Sequence, residues 1–171
     1  MSRVLGLIVN PIAGMGGSVA LHGTDGSTRQ LAVELGATPV ADIRTDRALA
    51  RLAHAVPDVK VLAAPGVMGE NHARARSLST DVVEIRVGNV TTAEDTHAAA
   101  RAMMASGVTL LMFAGGDGTA RDIVNETGTE LPVLGIPAGV KMHSGVFATT
   151  PEAAGDIASR FFISPESTTF L

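Results

Sequence analysis

Short apolar runs alternate along the chain with longer segments in which apolar residues recur every three or four positions. The uninterrupted runs lie at residues 3–9, 59–63, 108–113 and 132–136, and each has the length of a strand buried on both faces. Residues 81–87 alternate between apolar and polar positions and predict another strand. In all, we expect a sheet of about six strands.

Helical spacing marks the segments between these runs. It predicts helices over residues 24–36, 45–56, 90–106 and 150–162, and a loop that enters a helix over residues 66–76. Strands that alternate with helices over the whole length predict an α/β fold. We therefore expect a Rossmann-like, open, mostly parallel sheet with helices on both faces.

Polar residues at the predicted helix starts indicate how the helices are capped. Thr45 or Asp46 caps the helix over 45–56, and Pro151 stands in the first turn of the last helix. Thr91 and Glu94 have the spacing of a capping box, so we expect the acids there to complement the helix dipole and not to act in catalysis.

Three glycine-rich loops follow predicted strands. They read NPIAGMGGS from residue 10, GGDGT from residue 115 and PAGVKMHSGVF from residue 137. The carboxyl ends of parallel strands meet at one edge of the sheet, and α/β folds bind their ligands there. We expect the three loops to gather at that edge.

The second loop carries the most informative residue. Gly115, Gly116 and Gly118 permit backbone conformations that side chains forbid, and a helix starting at Thr119 would direct its free N–H groups at an anion. Asp117 would repel that anion unless it holds magnesium that bridges phosphates or takes a proton from an attacking hydroxyl. Both roles imply phosphoryl transfer. Asp-Gly is also a common turn dipeptide, so the motif by itself fits a plain strand-to-helix turn equally well.

The first loop, taken by itself, is slightly better explained as a plain connection between a strand and a helix. Val19 stands where the dinucleotide fingerprint needs its third glycine, and the chain has no Gly-Lys-Ser/Thr of a Walker A loop. Near the third loop's start, Gly139 and Lys141 follow a strand, and Lys141 could neutralise phosphate charge. Ser144 could cap a helix or donate to a phosphate, and His143 fits a neutral surface or packing histidine.

Composition narrows the class of protein. The formal net charge of −4 argues against nucleic-acid binding, and the absence of cysteine excludes disulfides and thiolate metal sites. Arg74 and Arg76 could reach a phosphate, although a solvated helix face explains them more simply. No apolar run has the length of a membrane helix. We expect a cytoplasmic protein that binds no membrane and forms a homo-oligomer.

Taken together, these loops resemble those of the NAD kinase and diacylglycerol kinase superfamily. GGDGT after an apolar strand looks like its signature loop, and residues 10–16 are similar to its first-strand loop. Residues 135–147 look like the variant in the ATP-NAD kinase-like branch, which includes proteins of acetoin catabolism. The resemblance spans nearly the whole chain. It implies a kinase that moves a phosphoryl group from ATP, or polyphosphate, to a hydroxyl, with the 2′-hydroxyl of NAD as the first candidate.

The resemblance also implies roles for individual residues. Asp117 would engage the acceptor hydroxyl as a general base or orient it, and would hold the Mg²⁺ that accompanies ATP; NAD would be a substrate. Lys141 as a phosphate contact is our inference and is not part of the family signature. The remaining residues expected to bind phosphate or nucleotide are Asn10, Gly14, Gly16, Gly115, Gly116, Gly118, Thr119, Gly139 and Ser144.

Kinases of this superfamily carry a second, largely β domain. We expect residues 1–162 to form the Rossmann-like kinase domain and residues 163–171 to begin a linker to such a domain, from a truncated form or a split gene. Whether the chain acts without that domain stays open. Two other functions also stay open: a lipid or sphingoid-base kinase-like domain, and a non-catalytic nucleotide-binding regulatory domain.

Overall fold

A computed structural model describes residues 3–14, 40–139 and 141–164 of the chain. The helix predicted over residues 24–36 lies outside the described residues, as does Gly16. The described part holds five strands, where about six were expected, and all of them are parallel. They are β1 (Val4–Val9), β2 (Lys60–Ala63), β3 (Ser79–Val82), β4 (Leu110–Gly115) and β5 (Val133–Pro137).

The strands lie in the order β3-β2-β1-β4-β5. Leu7 of β1 faces one core cluster and its neighbour Ile8 faces the other, because successive side chains point to opposite faces of a strand. Both clusters are covered by helices. This double burial explains why β1 and β4 are uninterrupted apolar runs in the sequence.

Helices cover both faces, as predicted. The described helices are α1 (Ala41–Ala55), α2 (Glu70–Ala75), α3 (Ala93–Ala105), α4 (Asp117–Thr127) and α5 (Pro151–Ile163), and a short 3-10 turn spans Gly66–Met68. Leu49 of α1 and Phe162 of α5 belong to the core on one face, while Met103 of α3 and Ile123 of α4 belong to the other. None of the helices in the described ranges is long and apolar enough to cross a membrane.

One predicted helix start is wrong, and one predicted capping pair is displaced by a single residue. α1 begins four residues early at Ala41, with Val40 as its N-cap, so Thr45 lies buried inside the helix and does not cap it. Burial of an apolar stripe beginning at Ala41 outweighs the local preference of Thr45 for a cap. The capping box is formed by Thr92 and Asp95, one residue after the predicted pair, and the Thr92 N–H donates to Asp95 Oδ2 at 2.7 Å.

β3 is shorter and earlier than the predicted strand over residues 81–87. It spans Ser79–Val82 and pairs only through four residues with β2, from Lys60↔Ser79 to Ala63↔Val82. The alternation of residues 83–87 continues the apolar pattern, yet β2 ends at Ala63, whose carbonyl accepts the Val83 N–H at 3.0 Å. Strand length here is set by the neighbour and not by the strand's own sequence.

The chain changes direction across the sheet between β1 and β4. From β1 it moves outward through β2 and β3, and then it crosses to the other side for β4 and β5. At the carboxyl edge the Asn10 N–H donates to the Ala114 carbonyl at 2.9 Å, which fixes the ends of β1 and β4 together. Ligands of open α/β sheets bind in the crevice at such a point.

The segment after β5 folds back along that strand. The Gly135 N–H donates to the Val146 carbonyl at 2.8 Å, and the Ala148 N–H donates to the Gly135 carbonyl at 3.0 Å. Phe147 packs where Gly135 lacks a side chain. These two hydrogen bonds bring the end of the third glycine loop back to the sheet. They thereby hold the earlier residues of that loop near the carboxyl edge.

Candidate functional site

The first and second glycine loops are joined by a hydrogen bond between side chains. Asn10, directly after β1, donates from Nδ2 to Oγ1 of Thr119 at 3.1 Å. Its Oδ1 accepts the Ile12 N–H at 3.2 Å, which turns the chain away from the strand. Thr119 is buried, at 5% exposure, and Asn10 is half-buried, so the hydrogen bond between them is partly shielded from solvent. Both residues were predicted to bind nucleotide, and the structure brings them together as a support for the loops.

The turn of GGDGT is shorter than predicted. α4 begins at Asp117 and not at Thr119, with Gly116 as its N-cap in an extended conformation. Gly115, Gly116 and Gly118 are absent from the glycines with positive φ, so the prediction that they adopt forbidden conformations is wrong. Glycine is required here for close packing instead: a Cβ on Gly115 would lie 2.5 Å from Thr119 Cβ.

The second and third loops touch through backbone. The Ala138 N–H donates to the Gly115 carbonyl at 3.0 Å, which extends the pairing of β4 and β5 beyond the strands. A Cβ added to Gly139 would lie 2.9 Å from Cα of Gly116. Any other residue at position 139 would force the backbone of one of the two loops to shift.

The first and third loops also meet. Gly14 has φ +83°, a conformation that favours glycine, and a Cβ there would lie 2.5 Å from the Ala138 carbonyl oxygen. The Val40 N–H donates to the Ala13 carbonyl at 3.3 Å, so the start of α1 joins the same cluster. The expectation that three glycine loops gather at the carboxyl edge is confirmed for their described residues.

Asp117 points its carboxylate at the third loop. Oδ2 accepts the His143 N–H at 2.8 Å and Oδ1 accepts the Ser144 N–H at 3.1 Å. The backbone hydrogen bond from His143 is the largest cause that lowers the pKa of Asp117. Desolvation opposes it, and hydrogen bonds from the Ser144 hydroxyl and N–H lower the pKa further. The acid is therefore ionised at neutral pH and half-exposed at the first turn of α4.

The other predicted residues of the third loop are solvent-facing. Lys141, His143 and Ser144 are exposed. Ser144 does not cap a helix: α5 is capped by Thr150, whose side chain accepts the Ala153 N–H at 3.1 Å, and Pro151 follows in the first turn as predicted. Ser144 and His143 instead contribute backbone N–H groups to Asp117.

One basic residue at this edge was missed by sequence reasoning. Arg44, in the first turns of α1, donates from Nη1 to the Pro137 carbonyl at the end of β5, at 2.7 Å. The two arginines that the sequence suggested as phosphate contacts pair with acids instead. Arg74 donates to Glu70 at 3.0 Å, and Arg76 donates from Nε to Asp46 at 2.7 Å. The sequence signal for Arg44 was its position next to a predicted helix start. The prediction placed Arg44 just before the helix, whereas Arg44 lies inside it.

A metal centre built from side chains is not found among the described residues, which hold no group of three or more His, Asp or Glu arranged to bind an ion. Asp117 is the carboxylate that faces the loops. Mg²⁺ is commonly bound by one or two carboxylates together with substrate phosphates. A single carboxylate at this edge fits that mode of binding.

The fold and the loops define a class: a doubly wound α/β domain with a glycine-lined carboxyl edge and one ionised acid. The family model described as ATP-NAD kinase N-terminal domain matches residues 5–164, and the chain belongs to that family.

A solved structure of a diacylglycerol kinase from Bacillus anthracis str. Sterne is similar to the chain, with a TM-score of 0.46 and 22% sequence identity. The similarity covers 93% of this chain and 42% of that kinase, so the chain spans less than half of its length. No curated protein sequence matches the chain.

Proposed function

We propose that the chain is the nucleotide-binding part of an ATP-NAD kinase-like phosphotransferase, with ATP or polyphosphate as donor and the 2′-hydroxyl of NAD as acceptor. The observation that carries the proposal is the ionised carboxylate of Asp117, held by two backbone N–H groups at the point where the glycine loops meet. Membership of the ATP-NAD kinase family supports the choice of chemistry and of acceptor.

The donor phosphates are assigned to the start of α4. The first N–H groups of a helix lack partners inside the helix, and its dipole places partial positive charge at the same end. Gly118 stands in that first turn with no atom within 4 Å of where its Cβ would be, so phosphate oxygens can approach the backbone closely. Exposed Lys141 and the Ser144 hydroxyl lie on the facing loop and would contact the same phosphates.

Asp117 is assigned to the acceptor hydroxyl. Its lowered pKa makes it a weak base, so orientation of the hydroxyl through an accepted hydrogen bond fits the site better than complete removal of the proton. The hydroxyl oxygen then bonds to the γ-phosphorus while the bond from that phosphorus to the β–γ bridging oxygen breaks. The nucleoside diphosphate leaves, and the hydroxyl proton passes to solvent. Positioning and charge supply most of the catalysis in such transfers.

Magnesium enters the proposal with the donor. Asp117 is the residue that would hold it, and the ion would neutralise charge on the bridged phosphate oxygens. Each carboxylate oxygen already accepts one N–H and retains a further acceptor position. Magnesium without nucleotide is expected to leave the melting temperature of the chain unchanged.

The test compares the chain with its Asp117→Asn variant. Phosphoryl transfer from labelled ATP is measured with NAD, with a sphingoid base and with a diacylglycerol as acceptors, and ADP binding is measured by calorimetry. The matched control is Asp58→Asn, which removes an exposed carboxylate before β2, at the opposite edge of the sheet. Because a misplaced reacting group costs about 10²-fold in rate, the variant should lose about that much transfer and keep ADP binding.

Each outcome separates the alternatives. Transfer to a lipid or sphingoid base but not to NAD would show that the acceptor is that lipid or base and not NAD. Nucleotide binding without transfer to any acceptor would favour a regulatory domain, and unchanged transfer by Asp117→Asn would remove Asp117 from the chemistry. Because a second β-rich domain after residue 162 stays a prediction, the intact mass of the native product should be measured alongside, and a longer product should be assayed in its full length.

A further inference from the structure

We propose that Arg44 is a phosphate-binding residue of this site, a role that rests on the proposed function. Arg44 lies in the first turns of α1 and reaches the end of β5, where its Nη1 donates to the Pro137 carbonyl at 2.7 Å. Pro137 pairs with Gly115, two residues before Asp117. The guanidinium is thereby fixed at the carboxyl edge of the two strands whose loops hold the ionised acid.

Among the arginines of the described ranges, Arg44 is distinguished by partial burial without an ion pair to a described carboxylate. Of the arginines in the described ranges, Arg44 and Arg76 are half-buried and the rest are exposed. Arg76 is paired with Asp46, whereas no carboxylate of a described residue lies within 4.0 Å of Arg44 in an ion pair. Partial burial of a cation is costly unless an anion compensates it.

The acids near Arg44 along α1 are directed elsewhere. Asp42 faces His72, with 3.3 Å between Oδ1 and Nε2, and Asp46 pairs with Arg76. The next two arginines of the helix, Arg47 and Arg51, pair with Glu152 and Asp156 of α5. Ion pairing on α1 thus occupies Asp42, Asp46, Arg47 and Arg51, and among the described residues no carboxylate pairs with Arg44.

The guanidinium retains donors for a ligand. It has five N–H groups in a planar fork, one of which is used by Pro137. A phosphate group matches that fork through two parallel hydrogen bonds, and arginine is preferred over lysine for this geometry. Gly14, Val40 and Ala138 meet beside the start of α1, where the first and third loops touch, and we place the phosphate that Arg44 would bind at this junction. The ligand class is the oligophosphate of a nucleotide.

The test measures binding of ADP and of adenosine to the chain, to Arg44→Gln and to Arg44→Lys by calorimetry. Arg51→Gln is the matched control, because it removes the same charge from the same helix at a residue paired with Asp156 at 2.9 Å. Arg44→Gln should weaken ADP binding about ten- to a hundredfold and leave adenosine binding unchanged, while Arg44→Lys should recover part of the loss. The control should bind both ligands like the unmodified chain.

ADP affinity of Arg44→Gln within twofold of the unmodified chain would overturn the inference and leave the proposed function standing. Equal losses for ADP and adenosine would also overturn it, since they would indicate a structural role through Pro137. If the unmodified chain binds no nucleotide, the proposed function fails first and the inference fails with it.

A measurement on the unmodified chain covers the case in which Arg44→Gln does not fold. Phenylglyoxal modification followed by peptide mapping should show Arg44 protected by ADP, with Arg101, which pairs with Glu94 and Glu126 away from the loops, modified equally with and without ADP. Equal modification of Arg44 under both conditions would overturn the inference.

Discussion

Gly116 and Gly139 pack backbone against backbone, so that a Cβ added to Gly139 would lie 2.9 Å from Cα of Gly116. Gly139→Ala should therefore push the third loop away from α4 and weaken the contact of His143 and Ser144 with Asp117. We expect the free energy of unfolding to fall by about 1–3 kcal/mol, together with weaker nucleotide binding. Urea unfolding and calorimetry test this, with Gly145→Ala as control because no atom lies within 4 Å of its added Cβ. Equal effects of the two variants would contradict the prediction.

Gly118→Ala should weaken ligand binding without lowering the stability of the fold. No atom lies within 4 Å of the added Cβ, and alanine is the better helix former, so the melting temperature should stay the same or rise. ADP binding should nevertheless weaken about tenfold or more, because a methyl group would stand where phosphate approaches the helix start. Unchanged ADP affinity would place the phosphates elsewhere on the edge.

Asp117 should make stability depend on pH in a defined direction. Its pKa is lowered in the folded state by the N–H groups of His143 and Ser144, so its contribution is present above the unfolded pKa of about 3.9 and is lost as pH falls through the lower folded value. The unmodified chain should be more stable than Asp117→Asn at pH 7, and the difference should shrink below about pH 4. Denaturant unfolding at pH 7, 5 and 3 tests this, with Asp58→Asn as reference. If the difference in stability between the two proteins is constant over this pH range, the two N–H groups do not bind the charged form of Asp117 more strongly than the protonated form.

Asn10 and Thr119 should be energetically coupled although 109 positions separate them in the sequence. Removal of Asn10 leaves the hydroxyl of buried Thr119 without its partner, so Asn10→Ala should cost about 1–3 kcal/mol. Thr119→Val alone should cost a similar amount, and the double variant less than the sum of both. Additive losses in a double-mutant cycle would show that the bond contributes little to joining the two loops.

Sequence reasoning recovered the parallel sheet because β1 and β4 are buried on both faces and therefore leave an unmistakable apolar signature. It also placed the acid of GGDGT at the strand end where ligands bind. It gave the wrong reason for Gly115 and Gly116: Gly115 leaves no room for a side chain beside Thr119, one helical turn away, and Gly116 meets Gly139, which is distant in sequence. Contacts of that kind have no local pattern.

Arg44 was missed for a related reason. The start of α1 is fixed by the packing of Ala41 beneath the sheet and lacks a capping side chain, so the sequence placed Arg44 ahead of the helix. The partners of Asp117 were equally hidden, because they are backbone N–H groups and any residue type could supply them. Side-chain identity therefore predicted where the acid lies but not what holds it.

The two borders of the sheet are unlike. The N–H and carbonyl of Gly135 are already taken by the returning loop, so an incoming chain that tried to align with β5 would find the middle of that strand engaged. β3 forms the other border and pairs with β2 through only four residues. No further strand pairs with β3 among the described residues, so within that part of the chain an added strand would align more readily beyond β3 than beside β5.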